Sequence, residues 1–172
     1  MANKILVRND AAAVTWKNTG GTYALTLTSL ATNAAREGAK GDLGAVHAAR
    51  YACRFEWEMT TAAVAGAIIE VWWSSSTSAT AGTDNTGGVV VTGADAAWAP
   101  TGGVDDCKPA LQFVGAAVCS DTTNTNRQRA EFIFFPPQRY GAPIIVNKTT
   151  QSLSATAANS FLSLIPLEDE IQ

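Results

Sequence analysis

Residues 51–73 constrain this chain most. Phe55, Trp57 and Met59 fall on one parity, and Arg54, Glu56, Glu58 and Thr60 on the other. A β-strand sends successive side chains to opposite faces, so the alternation predicts a strand with one buried and one wet face. After Thr61-Ala62-Ala63, a second run over 64–73 carries Ile68, Ile69, Val71, Trp72 and Trp73. Three of the five tryptophans lie in these two runs. Aromatic side chains bury the most area, so the pair, read as a long hairpin, is expected at the centre of the core.

The rest of the chain reads as further strands with turns between them. Residues 3–9 carry Ile5, Leu6 and Val7 in a charged frame, a first strand or an arm able to add to a neighbour's sheet edge. Val14-Thr15-Trp16 is a second short strand. Gly20-Gly21 marks a turn, and in 22–30 Tyr23, Leu25 and Leu27 alternate with polar or small residues as in a half-buried strand. Ala34-Ala35-Arg36-Glu37 reads as one helical turn within a flexible connection over 31–44, and 94–98 as another that packs Trp98 on the end of the fold. Residues 74–93 form a long loop rich in Ser, Thr, Gly, Ala and Asn.

Further strands are expected over 108–118, 127–135, 144–146 and 159–167. Pro136-Pro137 ends the third-last of these, because proline cannot donate to a ladder. The runs Phe132-Ile133-Phe134-Phe135 and Phe161 to Leu167 are apolar on both parities. This totals eight or nine strands and little helix. The fold class expected is all-β: one antiparallel β-sandwich domain over 1–172, jelly-roll-like, with long Gly/Ser/Thr loops. An arm over 1–10 and an acidic tail over 168–172 flank it. The Cys–Trp–Cys spacing of immunoglobulin domains is missing.

Composition excludes several functions. The net charge is −3 and the basic residues are scattered, which argues against nucleic acid as a partner. No apolar run reaches the roughly 18 residues of a membrane helix. The start has no apolar signal segment, so a cytoplasmic origin is expected. Charged residues make up only 16% of the chain, which favours a surface covered by neighbours. Cys53 and Cys119 read as buried apolar groups and Cys107 as a loop thiol; with one histidine, His47, a structural zinc site is not expected.

No catalytic residue is expected either. Gly38, Gly41 and Gly44 around Lys40 and Asp42 lack the Gly-Lys-Ser/Thr of a phosphate loop. Asp84, Asn85, Asp95, Asp105 and Asp106 have no calcium-loop spacing. His47 has no nucleophile or orienting partner in the sequence pattern. Glu56 and Glu58 share a strand face, but on a sheet's outer face solubility or an ion pair with Arg54 is the expected role, ahead of an acid pair. Trp98 and Tyr140, as loop aromatics, are candidates for stacking on a sugar. No cofactor or metal is expected, and the chain is read as a non-enzyme.

Four segments carry a resemblance: Gly20-Gly21-Thr22-Tyr23-Ala24-Leu25-Thr26-Leu27 through Leu30; Arg36-Glu37-Gly38-Ala39-Lys40-Gly41-Asp42-Leu43-Gly44; Val71-Trp72-Trp73-Ser74-Ser75-Ser76 with its following loop; and Arg139-Tyr140-Gly141-Ala142-Pro143 through Pro166-Leu167-Glu168-Asp169-Glu170. Together they resemble small virion proteins of tailed bacteriophages, over most of the chain. The resemblance implies a particle component and supplies no site residue. It makes a head decoration or cement protein the leading expectation, localised to the virion. Its partners would be the major capsid protein and copies of itself, in a homo-oligomer. The expected contacts are Ile5, Leu6 and Val7 of the arm and Glu168, Asp169 and Glu170 of the tail. The alternative is a receptor- or glycan-binding module of a tail or head fibre, using loops over 74–103. A polysaccharide-degrading enzyme is a third.

Overall fold

Two tryptophans from opposite sheets meet at the centre of this fold, and glycines make room for both. A computed structural model describes residues 5–8, 12–121 and 126–171, with residues 5–8, 89 and 168–171 described by their backbone. The strands are β1 (Ile5–Arg8), β2 (Val14–Lys17), β3 (Tyr23–Ala24), β4 (Ala35–Glu37), β5 (Gly41–Asp42), β6 (Arg50–Trp57), β7 (Ile68–Ser76), β8 (Ala96–Ala97), β9 (Gln112–Val118), β10 (Gln128–Phe134), β11 (Tyr140–Asn147) and β12 (Phe161–Ile171). A one-turn helix, α1 (Val104–Cys107), and two short 3-10 turns complete the elements.

Two sheets form. The first has the order β10-β6-β12-β2-β3, and the second β8-β4-β11-β7-β9. Set aside the short strands β1, β3, β5 and β8. Of the remaining eight, the first pairs with the last (β2–β12), the second with the seventh (β4–β11), the third with the sixth (β6–β10) and the fourth with the fifth (β7–β9), all antiparallel. That nesting is a long hairpin rolled over itself, the double Greek key of a jelly roll. The all-β, jelly-roll sandwich expected from the strand pattern is what forms.

The expected hairpin at 51–73 does not form. β6 lies in the first sheet and β7 in the second, joined by residues 58–67. Ten residues exceed a tight hairpin loop, and the crossing lets Phe55 and Trp57 face Ile69, Val71 and Trp73 through the core. Trp72 points the other way. It packs with a second cluster of Ala35, Val91, Trp98, Leu111, Ile144 and Val146 on the outer face of the second sheet.

Both expected helical turns are strands. Residues 35–37 pair with Ile144, Ile145 and Val146, and β8 pairs with β4 through Arg36↔Ala97 and Glu37↔Ala96. Their helix-forming side chains are overridden by ladder bonds and by burial of Ala35 and Glu37. In 22–30, Leu25 and Leu27 are buried as the alternation predicts, but only Tyr23–Ala24 joins a ladder, parallel to β2. Asp95 takes the next bonds: its carboxylate accepts from the Thr26 N–H (3.0 Å) and hydroxyl (2.5 Å) and from Arg36 Nε (2.7 Å). Cys53 and Cys119 are buried free thiols; burial pushes the Cys53 thiol up to about 12.

The glycines of 38–44 have a packing role. Gly41 of β5 pairs with Gly141 of β11. A Cβ at Gly41 would sit 2.4 Å from the Trp16 ring, and one at Gly141 2.4 Å from the Trp73 ring. Trp16 also donates its indole N–H to the Ala39 carbonyl at 2.7 Å and meets Trp73 edge-on, centroids 5.5 Å apart. An added methyl in a filled core costs about 1–3 kcal/mol. Gly141→Ala is therefore expected to lose about that much stability in denaturant unfolding. Gly82→Ala, where nothing lies closer than 3.9 Å, should stay within about 0.5 kcal/mol.

Candidate interaction surface

The two sheets differ in what covers their outer faces. The connection from β7 to β9 folds back over the second sheet. Val91, Trp98 and Leu111 cover Ile144 and Val146. Lys108 reaches Glu70 at 2.6 Å and lies 5.6 Å over the Trp72 ring. Buried Glu37 accepts hydrogen bonds from the backbone N–H and the hydroxyl of Thr92. Lys40 anchors the start of this connection: its ammonium donates to Ser76 Oγ (2.9 Å) and to the carbonyls of Thr80 (2.7 Å), Thr83 (2.8 Å) and Ser78 (3.2 Å). Burial holds its pKa below the ordinary lysine value, with Asp84 opposing. Residues 74–93, expected as a long loop, thus form a fastened cover. Trp98 is 1% exposed and presents no face for a sugar, while Tyr140 sits in β11 under the Arg139 guanidinium.

The outer face of the first sheet has no such cover among the described residues. It divides into a charged end and an apolar end. At the charged end, Arg129 grips buried Glu56 through Nε (3.0 Å) and its terminal nitrogen (2.9 Å), and Arg127 lies 3.7 Å from the other oxygen. Arg54 pairs with Glu131 at 2.8 Å, not with Glu56 or Glu58 as the spacing implied. Glu58 accepts from Asn159 at 2.8 Å. A shallow cleft of about 480 Å³ lies here, lined by Glu56, Glu58, Arg127, Gln128 and Arg129. Glu56 is thus held in an ion-pair network with two guanidiniums, and Glu58 by a neutral amide.

At the apolar end, register aligns Ile133 of β10 with Ala52 of β6 and Ile165 of β12. Phe135 and Leu167 lie two residues further on, with Val46 from the connection into β6. Val46 is 97% exposed, Ile133 59% and Phe135 57%. A groove of about 450 Å³ opens here, lined by Val46, His47, Ala48, Ala49, Arg50, Phe135 and Leu167. This is where His47 falls, in a groove wall. Exposed apolar groups gathered in one place mark contact surfaces. The strands apolar on both parities, β10 and β12, were the sequence signal for it.

The arm and the tail come together. β1 pairs antiparallel with the end of β12: Ile5↔Ile171, Leu6↔Glu170, Val7↔Asp169 and Arg8↔Glu168. The six residues expected as contacts thus form one two-stranded ribbon, and it begins directly after Leu167 of the groove. The remaining residues of the expected arm and tail, 1–4, 9–10 and 172, lie outside the described residues.

The acidic residues considered for calcium are dispersed: Asp84 faces Thr77, Asn85 donates to Ala81 and Val91, Asp95 holds Arg36, and Asp105 holds Lys108 and Lys148. No group of three metal-ligating side chains forms among the described residues, and no described helix is long and apolar enough to cross a membrane. No family model matches the chain, and no curated protein matches it.

Two measurements follow from these contacts. Charge-assisted hydrogen bonds contribute about 1.5–3 kcal/mol, so Lys40→Met should speed amide exchange over 77–84 by about tenfold or more, with β6 unaffected. Asp105 is held down at about 2 by its bonds to Lys108 and Lys148. Arg139 likewise lowers Asp42, and at Asp95 the bonds to Arg36 and Thr26 outweigh a burial that raises it. A depressed carboxylate stabilises the fold above its unfolded pKa, and that stability is lost as pH falls through the folded value. Stability should therefore fall as pH drops from 3.8 toward about 2. Asp105→Asn should flatten part of that fall. Glu37, raised by burial, has the opposite sign: its stabilising protonation occurs as pH falls through its raised value and is complete near 4.5, above this window.

Proposed function

We propose that this chain is a structural protein of a virus particle, a decoration or cement protein that binds the outside of a tailed-phage head and bridges neighbouring capsomers. One observation carries the reading: an uncovered apolar face of the first sheet runs straight into the ribbon made by both ends of the chain. A sandwich that fastens its own long loops onto one sheet leaves the other sheet for a neighbour. The sequence resemblance supplies the kind of neighbour.

The physical logic is repetition. A shell offers the same site many times, so a modest contact made by each copy, with copies also touching one another, binds firmly through multivalency. The major capsid protein is the principal partner, copies of this chain the second, and the virion the location. The chemistry is that of binding, with no bond made or broken.

Sedimentation with expanded heads lacking this protein tests it. The purified chain should co-sediment at one regular stoichiometry, and a chain lacking residues 2–9, which removes the partner of the β12 end, should lose binding at the same concentration. Binding to host cells instead of heads would move the assignment to the receptor-binding class. Full occupancy by the truncated chain would remove the ribbon from the contact.

A further inference from the structure

We propose that the cleft at the charged end of the first sheet binds an uncharged, polyhydroxylated ligand, a pyranose ring of a polysaccharide, through a hydroxyl seated between Glu56 and Arg127. This goes beyond the particle reading and does not rest on it.

The cleft is lined by planar polar groups already fixed to one another. Glu56, 6% exposed, gives one carboxylate oxygen to Arg129 Nε (3.0 Å) and to its terminal nitrogen (2.9 Å). Arg127 donates through one terminal nitrogen to Asn159 (3.0 Å), and Asn159 donates in turn to Glu58 (2.8 Å). This network is open at one point. The other terminal nitrogen of Arg127 stands 3.7 Å from the second Glu56 oxygen, beyond hydrogen-bond reach. Whatever sits between them must accept from the guanidinium and donate to the carboxylate. A hydroxyl does both, and polar pairs stretched this far are where a bridging oxygen belongs.

The space admits more than a water. At about 480 Å³ the cleft falls in the size range of small-ligand sites. Register places Phe161 directly beside Glu56, on the outer face because Leu162 and Leu164 fill the core. Its half-buried ring adds apolar surface next to the polar groups, which suits the C–H face of a sugar. Gln128, the remaining lining residue, spends its side-chain oxygen on the N–H groups of Ser120 (2.9 Å) and Asp121 (3.3 Å).

Charge selects a neutral occupant. Two carboxylates and two guanidiniums line the cleft, so its own charges cancel. Around it, Arg54 and Glu131 neutralise each other, Lys17 lies 4.9 Å over the Phe161 ring, and Asp121 accepts from Asn126. An anion would compete with Glu56 for Arg129, and a cation would compete with Arg129 for Glu56. Either leaves a buried charge without its partner, which is costly. A hydroxyl enters the gap without breaking an ion pair. Because the groups are already held in place, little ordering remains to oppose binding.

Heteronuclear NMR of the whole chain tests this. Methyl glucoside, methyl galactoside, methyl mannoside and N-acetylglucosamine are the neutral probes, and glucuronate and glucosamine the charged ones. A neutral probe should shift the backbone amides of 56–58 and 127–129 and the Arg127 side-chain N–H, and should bind more tightly than either charged probe. Arg127→Met, at an exposed position, removes one side of the bridge and should weaken binding about tenfold. Glu58→Ala should weaken it as well, and Arg54→Met, outside the cleft, should leave it unchanged. Near-UV dichroism and the thermal midpoint establish that each variant is folded. If no neutral probe moves these signals, water alone fills the gap and the proposal is overturned. Tighter binding of glucuronate would make this an anion site, and tighter binding of glucosamine a cation site, either of which overturns it. So does undiminished binding by both cleft variants, or an equal loss in Arg54→Met. Head binding, read separately by sedimentation, is unaffected by any of these results.

Discussion

The packing of Trp16 against Trp73 is the contact on which the two-sheet arrangement depends. Trp16 comes from the first sheet and Trp73 from the second, and their rings meet edge-on over a floor made by Gly41 and Gly141. Indole rings cannot approach a pleated backbone this closely where a Cβ stands. The paired glycines therefore set the local spacing of the sheets. Around this centre Tyr23 and Phe134 add ring contacts at 5.3 and 5.2 Å. The open side of the sandwich is closed by Phe132 lying over Gly115, by the same device of an aromatic ring on a missing side chain. Dense aromatic packing on glycine tolerates little change in volume, and it leaves the outer faces free to differ.

Those outer faces went different ways. On the second sheet, Glu70, Trp72, Ile144 and Val146 are roofed by the chain's own connection, held by Lys108, Thr92 and the Lys40 ammonium. β11 accordingly reads as a continuous buried run, Gly141 to Asn147, the pattern of a strand covered on both faces. The first sheet has no roof among the described residues. Its charged half satisfies itself through the Glu56–Arg129 and Arg54–Glu131 pairs. Its apolar half has no comparable internal solution among the described residues. One uncovered face thus carries two chemically distinct ends.

Much of this was legible in the chain, in proportion to how local the cause is. The alternation at Phe55 and Trp57 reads directly because parity is a property of one strand. The neighbour of that strand does not read, because alternation is silent about pairing, and β6 took β10 and β12 rather than β7. Ala34-Ala35-Arg36-Glu37 and the segment at 94–98 look helical on local preference, and only their long-range ladder partners make them strands. Gly38 and Gly41 invite a loop reading; their actual reason, a seat for Trp16, lies more than twenty residues away. The contact surface was half visible. Ile133, Phe135, Ile165 and Leu167 break the parity of their strands, a sign that a second face is apolar. That these four flank Ala52 and Arg50 on one end of one sheet is a fact of topology.

An uncovered apolar band is a liability for a chain that stays alone, since it invites aggregation and contributes nothing to folding. Here it persists beside every means of hiding it. The fold has a connection of over thirty residues between β7 and β9, long enough to roof either sheet, and it roofs only one. The band also lies where the two ends of the chain converge, so the ribbon and the groove are contiguous. An exposed Phe135 fixed by two prolines and a glutamine is stiffer than solubility requires. The uncovered end of the first sheet therefore combines exposed apolar groups, a fixed backbone at Phe135 and an adjoining two-stranded ribbon.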